Sequence, residues 1–397
     1  MSNKCIYAVL LLLFLSEYKC MHPKLLSASS SLTSNTWFKL ICGASNNDVA
    51  LVRNICAIYT SLGIDCIDIS SDPAILFAAR EGIQVGLKLK HKYDDLITWK
   101  RVEPLIMISV NDDEDPHFRK AYFDPNKCPV DCKRPCEKVC PAFAIPPLLK
   151  EGLLCANGVL SDKCYGCGRC IPICPLGLID AKSYIVDHSK VNSFFEYNLV
   201  DAIEIHTRPG HLQEFNNLWN NIAHFVCVNA KIIAVSFPDM DNDTVPYLQS
   251  LQKIICNHQS FDNFNGIQIW QADGRPMSGD IGKGTTHACT SLASHVLSEI
   301  KAIGHDGINF EKKHFIQLAG GTNDYSAIAA KNGGLTGKVG FGGYAFGGYA
   351  RKTISSYLME LDDETENIHV ENHPIVLEKC LDFAYNLVKS VKGTYYK

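Results

Sequence analysis

The chain has 397 residues, 46% of them hydrophobic and 20% charged, with 38 Lys and Arg against 42 Asp and Glu. That length makes room for two or three domains, or for one barrel-sized domain carrying an added module. The near-balanced charge excludes a protein built around a basic, nucleic-acid-binding surface, and the apolar fraction excludes long disorder.

The N-terminus opens with Lys4 and an apolar run of ten, Ile6–Leu15 (IYAVLLLLFL). This is too short to span a bilayer and the right length for the core of a signal peptide. Residues 21–37 (MHPKLLSASSSLTSNTW) are rich in Ser and Thr and hold no acidic residue, a composition that suits an organelle transit peptide. Signal followed by transit predicts residues 1–37 as a bipartite address to a plastid reached through the secretory route; a plain secretory signal is the alternative. No later stretch approaches the ~18 consecutive apolar residues of a membrane span, so the mature form is predicted to carry none.

From Phe38 onward, short β-rich runs alternate with amphipathic segments. The runs are Phe38–Gly43, Asp65–Ser70, Leu105–Val110, Ala202–Thr207, Ile232–Phe237, Ile267–Gln271, Phe315–Ala319 and Lys338–Gly342. Helical patterns follow them, among them Asp48–Leu62, DPAILFAAREGI, HLQEFNNLWNNI, PYLQSLQKII and THACTSLASHVLSEI. Strand–helix alternation predicts a parallel sheet with right-handed crossovers, and eight such units predict a TIM-barrel-like (β/α)8 fold. An open doubly wound sheet with a separate ferredoxin domain is the alternative. Asp362–Pro374 reads as a surface loop before a last helix at Val376–Val391. The barrel is thus predicted in two parts, 38–111 and 183–397, around an insert at 112–182 that leaves the end of the third strand and so stands on the face where barrels carry their functional loops.

Nine of the chain's 18 cysteines lie in the insert, between Cys128 and Cys174: eight in two runs of four, with Cys155 between the runs. Cys164, Cys167, Cys170 and Cys174 follow C-x2-C-x2-C-x3-C-P, the spacing of a bacterial ferredoxin, in which the fourth Cys ligates the partner cluster. A zinc site would space two C-x2-C pairs by a longer loop. Cys128, Cys132, Cys136 and Cys140 precede them at three-residue gaps, wider than the ferredoxin pattern. Pro129 and Pro135 argue against one helix bearing four thiols, and for a ligand loop. With the crossover, one [4Fe–4S] site takes Cys128, Cys132, Cys136 and Cys174, and a second takes Cys164, Cys167, Cys170 and Cys140. One four-iron cluster beside a different or labile one is the alternative. The remaining cysteines of the body, Cys42, Cys56, Cys66, Cys155, Cys227, Cys256, Cys289 and Cys380, read as ordinary buried or partly buried thiols. Iron on thiolates calls for a reducing compartment, which favours the plastid address.

Two glycine-rich stretches follow the last two strands: Gly320-Gly321 and the run GFGGYAFGGYARK that contains Gly342, Gly343 and Arg351. Barrels often bind phosphate there, so these residues are a candidate phosphate site, with FMN one possible occupant. The other reading is tight turns and close packing. Polar residues at strand ends, Asp68, Glu204, His206, Arg208, Gln271 and Asp273, and a long loop bearing Arg275, Asp280 and Lys283, show no catalytic pattern; GDIGKGTT lacks the phosphate-loop frame.

The segment FKLICGASNNDVALVRNICAIYTSLGIDCIDISSDP, the two Cys runs and the ending GFGGYAFGGYARK together make the chain, over roughly residues 37–360, resemble the light-dependent-period (LdpA) family. The resemblance implies an iron–sulfur protein that senses redox state and, in cyanobacteria, conveys light input to the circadian clock. It implies the eight cysteines of the two runs as cluster ligands and supplies no catalytic residue. Two functions compete: a redox-responsive protein of the plastid, acting on a redox partner protein or electron-pool carrier, and an iron–sulfur oxidoreductase with a flavin or phosphate-bearing ligand in the barrel mouth. A structural or assembly role is the third.

Overall fold

A computed structural model describes residues 23–140, 142–146, 158–275, 282–303, 308, 313–362 and 368–393. The expected signal run, Cys155 and Asp280 lie outside the described residues.

The chain starts with helix α1 (Pro23–Thr33), then β1 (Trp37–Ile41), α2 (Val49–Ser61), β2 (Cys66–Ser70), α3 (Pro73–Lys88) and β3 (Leu105–Asn111). The insert follows. Its root is a hairpin-like pair, β4 (Arg119–Tyr122) antiparallel to β5 (Asp180–Ser183), and it carries two short helices, α4 (Pro135–Val139) and α5 (Cys170–Ile173). The barrel resumes with α6 (His188–Glu196), β6 (Ala202–His206), α7 (Leu212–Asn229), β7 (Ile232–Pro238), α8 (Thr244–Asn257), β8 (Ile267–Asp273), α9 (Thr286–Ile303), β9 (His314–Ala319), α10 (Ser326–Asn332), β10 (Phe341–Phe346), α11 (Gly348–Asp362) and α12 (Pro374–Lys392).

Eight parallel strands close on themselves in the order β1-β10-β9-β8-β7-β6-β3-β2. The closure excludes the open doubly wound sheet: the fold is a TIM-barrel-like α/β barrel. Strands such as β3 (LIMISVN) are buried at every position, as sheets covered on both faces require. Helices start where capping side chains allow: Asp48 accepts from the Leu51 N–H, and Asp72 from Ala74 and Ile75 ahead of Pro73.

Two elements depart from the sequence expectation. Residues 23–33, assigned to a transit segment, form α1, whose Leu25, Ala28 and Leu32 are buried in one cluster with Trp37, Cys66, Leu105, Ile232 and Phe315 at the N-terminal ends of the strands. The i, i+3, i+7 spacing of those three residues gives α1 one apolar stripe, and that stripe seals the bottom of the barrel. Lys24 pairs with Asp201 at 3.3 Å and Glu103 at 2.6 Å, and Ser31 Oγ donates to Asp65 at 2.7 Å. Burial would raise the Asp201 carboxyl, but Lys24 and Lys231 hold it below the usual carboxylate range. The folded body therefore includes residues 23–33, ahead of Phe38. The second departure is the last strand, which runs Phe341–Phe346 and not 338–342.

The barrel interior has an apolar floor and a polar middle. Trp37 Nε1 donates to Gln317 Oε1 (2.8 Å), Gln317 Nε2 to Gln271 Oε1 (2.6 Å) and Gln271 Nε2 to Glu204 Oε1 (2.8 Å). Glu204 in turn pairs with the fully buried ammonium of Lys39, which also lies 3.9 Å from Asp68. Burial opposes the Lys39 charge, yet Glu204 and Asp68 raise its pKa. Burial likewise opposes the Glu204 carboxylate, and Lys39 lowers it. Each buried charge has its counter-charge, as burial demands.

Candidate metal centre

The insert is clamped onto the C-terminal face of the barrel by Asn111, the last residue of β3. Its Nδ2 donates to Asp113 O (2.7 Å) and Tyr184 O (2.9 Å), and its Oδ1 accepts from Val186 N (3.1 Å), so one amide holds both the outgoing and the returning chain. The loop after β1 forms the seat. Tyr184 Oη donates to Ser45 Oγ at 2.9 Å, and Asn47 N to Asp162 O at 3.0 Å. Lys120 Nζ donates to the Ser45 carbonyl, to Asn47 Oδ1 (3.1 Å), to Ser161 O (2.6 Å) and to Cys164 O (2.7 Å). Its desolvation lowers the ammonium to about 8.

Within the insert, Cys140, Cys164, Cys167 and Cys170 line one small cavity, walled by Ala121, Ala144, Ile145 and Val159. The fourth cysteine of the first run thus stands with the first three of the second. Cys128 and Cys132 interact through their side chains, and the Arg134 guanidinium bears on both Cys128 and Cys136. Its Nη1 lies 3.6 Å from Cys128 Sγ. Cys128, Cys136 and Cys174 share the small apolar core that Cys140, Cys164 and Cys170 join.

The two runs end in the same local fold. Ala144 N donates to Cys140 Sγ (3.2 Å) and Leu178 N to Cys174 Sγ (3.4 Å), in each case the amide four residues on. Between them the backbone turns left-handed, at Phe143 (φ 50) after Cys140 and at Gly177 (φ 61) after Cys174. A third such bond runs from Ala121 N to Cys164 Sγ (3.4 Å). Amides aimed at sulfur are what thiolate ligands need for orientation and charge stabilisation. At Cys174 these donors overcome burial and lower the thiol pKa, whereas at Cys170 burial pushes it up to about 12. Metal binding at such a thiol releases its proton.

The spacing of the sulfurs bears on what they can hold. Among the described residues, the group of three or more ligand atoms lying within 4.8 Å of one another is Asp115, His117 and His206; no three cysteine sulfurs crowd that closely. A single zinc with sulfurs at about 2.3 Å would draw four of them to less than ~4 Å apart. Four thiols facing a common cavity at wider spacing fit a multi-metal cluster.

The other sequence candidates separate. Gly320 (φ 65) and Gly321 (φ 101) follow β9 at the mouth, where an added Cβ would meet Arg275 N at 2.9 Å and Thr285 O at 2.7 Å. Gly342 and Gly343 lie inside β10 at the opposite end of the barrel: a Cβ on Gly342 would meet Leu32 of α1 at 2.6 Å, and one on Gly343 the Trp37 carbonyl at 2.4 Å. The four glycines therefore form no common phosphate cradle, and the second pair is there for close packing. Arg351 is buried, with Nη1 on Cys42 O (2.5 Å) and its guanidinium 4.3 Å over the Tyr165 ring. It touches the insert and not a glycine loop. Asp68, Glu204, His206, Gln271 and Asp273 are buried in the upper barrel, while Arg208 is exposed and reaches Glu114 O at 3.5 Å. Sequence reasoning singled out neither Asp115 nor His117. The signal available was Asp-Pro-His just past one strand and Glu-Ile-His ending the next in the barrel.

Comparison with known proteins agrees with this architecture. The model of the LdpA Fe–S cluster-binding domain matches residues 128–185, and that of the light dependent period A C-terminal domain matches residues 194–390. The chain is 39% identical over 365 residues to "Light dependent period A" of Synechococcus elongatus, covering 91% of this chain and 93% of that protein. Among solved structures, an aminoacrylate-bound tryptophan synthase from M. tuberculosis aligns over 93% of this chain and 100% of its own at 8% identity, but its TM-score of 0.38 carries no argument.

Proposed function

Because the chain belongs to the LdpA family of iron–sulfur proteins, we propose that its insert holds two [4Fe–4S] clusters and serves as a redox-sensing module of a plastid protein. One site takes Cys164, Cys167, Cys170 and Cys140, the other Cys128, Cys132, Cys136 and Cys174. The observation that carries this reading is the shared cavity of Cys140 with the second run, which is the crossover of a two-cluster ferredoxin.

When bound, such clusters take up and release single electrons. The chain's own residues set the terms. Amides of Ala121, Ala144 and Leu178 stabilise negative charge on sulfur, and Lys120 and Arg134 add positive charge nearby; both effects favour the reduced state. An open concavity beside Cys167, lined by Val139, Arg169, Pro172 and Ile173, offers a redox partner or electron carrier an approach to that thiol. The root at Asn111 and the seat on the β1 loop couple a change in the insert to the barrel mouth. A plastid location rests on the reducing environment that the thiolates need and on the apolar run at Ile6–Leu15; no helix among the described residues is long and apolar enough to cross a membrane.

A second reading, an iron–sulfur oxidoreductase, draws support from the buried polar interior around Lys39 and Glu204, which is costly for a purely structural barrel. Its flavin version loses support because Gly342 and Gly343 stand at the wrong end. Anaerobic purification tests both. About eight iron and eight sulfide per chain, falling to about four of each in Cys167→Ser, are expected, with a broad iron–sulfur absorption and no flavin bands. Full iron content in Cys167→Ser would overturn the ligand assignment, and flavin bands would favour the enzyme.

A further inference from the structure

We propose that Asp115, His117 and His206 bind a single divalent first-row transition-metal ion at the mouth of the barrel, at a site separate from the cysteines. The three residues come from different parts of the chain. Asp115 and His117 sit where the insert leaves β3, and His206 ends β6, the neighbouring barrel strand, in register with Asn111. One ligand atom from each lies within 4.8 Å of the other two. Donors sharing an ion at ~2.1 Å lie at most ~4.2 Å apart, so a small contraction closes the site.

The donors are already held in place. Asp115 Oδ1 is 2.7 Å from His117 Nδ1 and accepts from the His117 amide at 2.8 Å. The His117 carbonyl is fixed by Ser45 Oγ at 2.5 Å. The imidazoles of His117 and His206 stand 4.7 Å apart, and the fully buried Phe118 packs edge-on against His206 at 5.3 Å. His206 is only 5% exposed, yet its Nε2 makes no hydrogen bond. Glu204 Oε1 is its ion-pair neighbour at 3.2 Å and at the same time accepts from Gln271. That ion pair is poorly aligned, which leaves the buried nitrogen available to a better-placed partner. Asp273, to which Ser236 donates, is close enough to interact with both imidazoles, so a second carboxylate besides Asp115 faces the site.

Two imidazoles and one carboxylate with free positions suit Fe(II), Zn(II) or Co(II) and do not suit the hard, oxygen-only cations. Asp115 and His206 are buried, while the His117 side chain keeps 19% of its exposure. The site is therefore open on one side, as sites that exchange a ligand are. It also shares a support with the cysteines: four residues beyond His117, Ala121 donates its amide to Cys164 Sγ, and four residues span at most ~14 Å. This places a second metal chemistry at the junction between insert and barrel.

Equilibrium dialysis of the anaerobically purified holoprotein against buffered Zn(II), with zinc, iron and sulfide determined on the same sample, tests the site. The expected result is one zinc per chain with iron and sulfide unchanged, and at least ~10-fold weaker zinc binding in His117→Ala and in His206→Gln while both keep their iron. His206→Gln changes the barrel side of the site and His117→Ala the insert side, so failure of one to fold leaves the other to decide. No zinc bound by the wild type, equal binding by the variants, or zinc gained only as iron and sulfide are lost together would each overturn the proposal. The last of these would put the zinc on the thiols, and an iron content unrelated to cysteine number would bear on the cluster reading alone.

Discussion

Gly166 and Gly177 have nearly the same backbone conformation and very different surroundings. Both are left-handed, at φ 74 and φ 61, a region that costs an L-residue roughly 1–2 kcal/mol. At Gly177 an added Cβ meets nothing within 4 Å, whereas at Gly166 it would strike the Arg119 carbonyl at 2.3 Å, and Arg119 Nε in turn donates to Gly166 O at 2.9 Å. Gly177→Ala should therefore cost about 1 kcal/mol and keep its iron. Gly166→Ala should push the Cys164–Cys170 loop off β4 and lose about half the iron, against a full complement of ~8 per chain. Iron and sulfide analysis of the two purified variants checks this, and equal iron contents would refute the distinction. The cysteines themselves were legible because their spacing is local: the loop that wraps a cluster is written in consecutive residues. His117 and His206 were not, because what joins them is the register between β3 and β6, where Asn111 pairs with His206. No spacing along the chain records that pairing.

At the level of elements, the eight strands were legible to within a few residues, because buried parallel strands are apolar runs too short to be helices. The last one slipped since GFGGYAFGG has no strong apolar centre, and its position is set by contacts outside the strand: Gly342 must leave room for Leu32, and Gly343 for Trp37. The same contacts explain α1. A Ser-rich composition with no acids masks a helix whose Leu25, Ala28 and Leu32 lie on one face. What distinguishes it from a transit segment is the open bottom of the barrel, visible only once the strands have closed. A chain beginning at Pro23 keeps α1 in place and is the reference. One beginning at Trp37 should lose about 4–6 kcal/mol, from two buried leucines and an alanine at roughly 1.5–3 kcal/mol per large side chain, and should take Ser31 from Asp65 and Lys24 from Asp201. Urea-unfolding midpoints of the two truncations measure the difference; coincident midpoints would mean that α1 is not part of the stable body.

For the whole molecule, the question is how firmly an insert rich in cysteine and poor in apolar core is tied to the barrel beneath it. The root at Asn111 is one tie and the β1 loop a second. The third is Arg351, near the start of α11. Its guanidinium donates to Cys42 O and covers the ring of Tyr165, the residue between Cys164 and Gly166. Gly43, left-handed at φ 112, leaves the space: a Cβ there would lie 2.2 Å from Arg351 Nη1. Arg351 thus connects the last barrel unit, the first barrel loop and the Cys164–Cys170 loop in one contact, a planar stacked arrangement that an ammonium cannot reproduce. Arg351→Leu should leave the barrel folded but free the Cys164–Cys170 loop from it. Amide exchange should rise in residues 158–174 and not in β6–β8, and the iron–sulfur absorption should bleach in air several-fold faster than in the wild type. Arg351→Lys should rescue neither effect fully, because it restores the charge without the stacking plane. If both variants exchange and bleach at the wild-type rate, the insert is held by its root and the β1 loop, and a redox change within it would have no route to the barrel through α11.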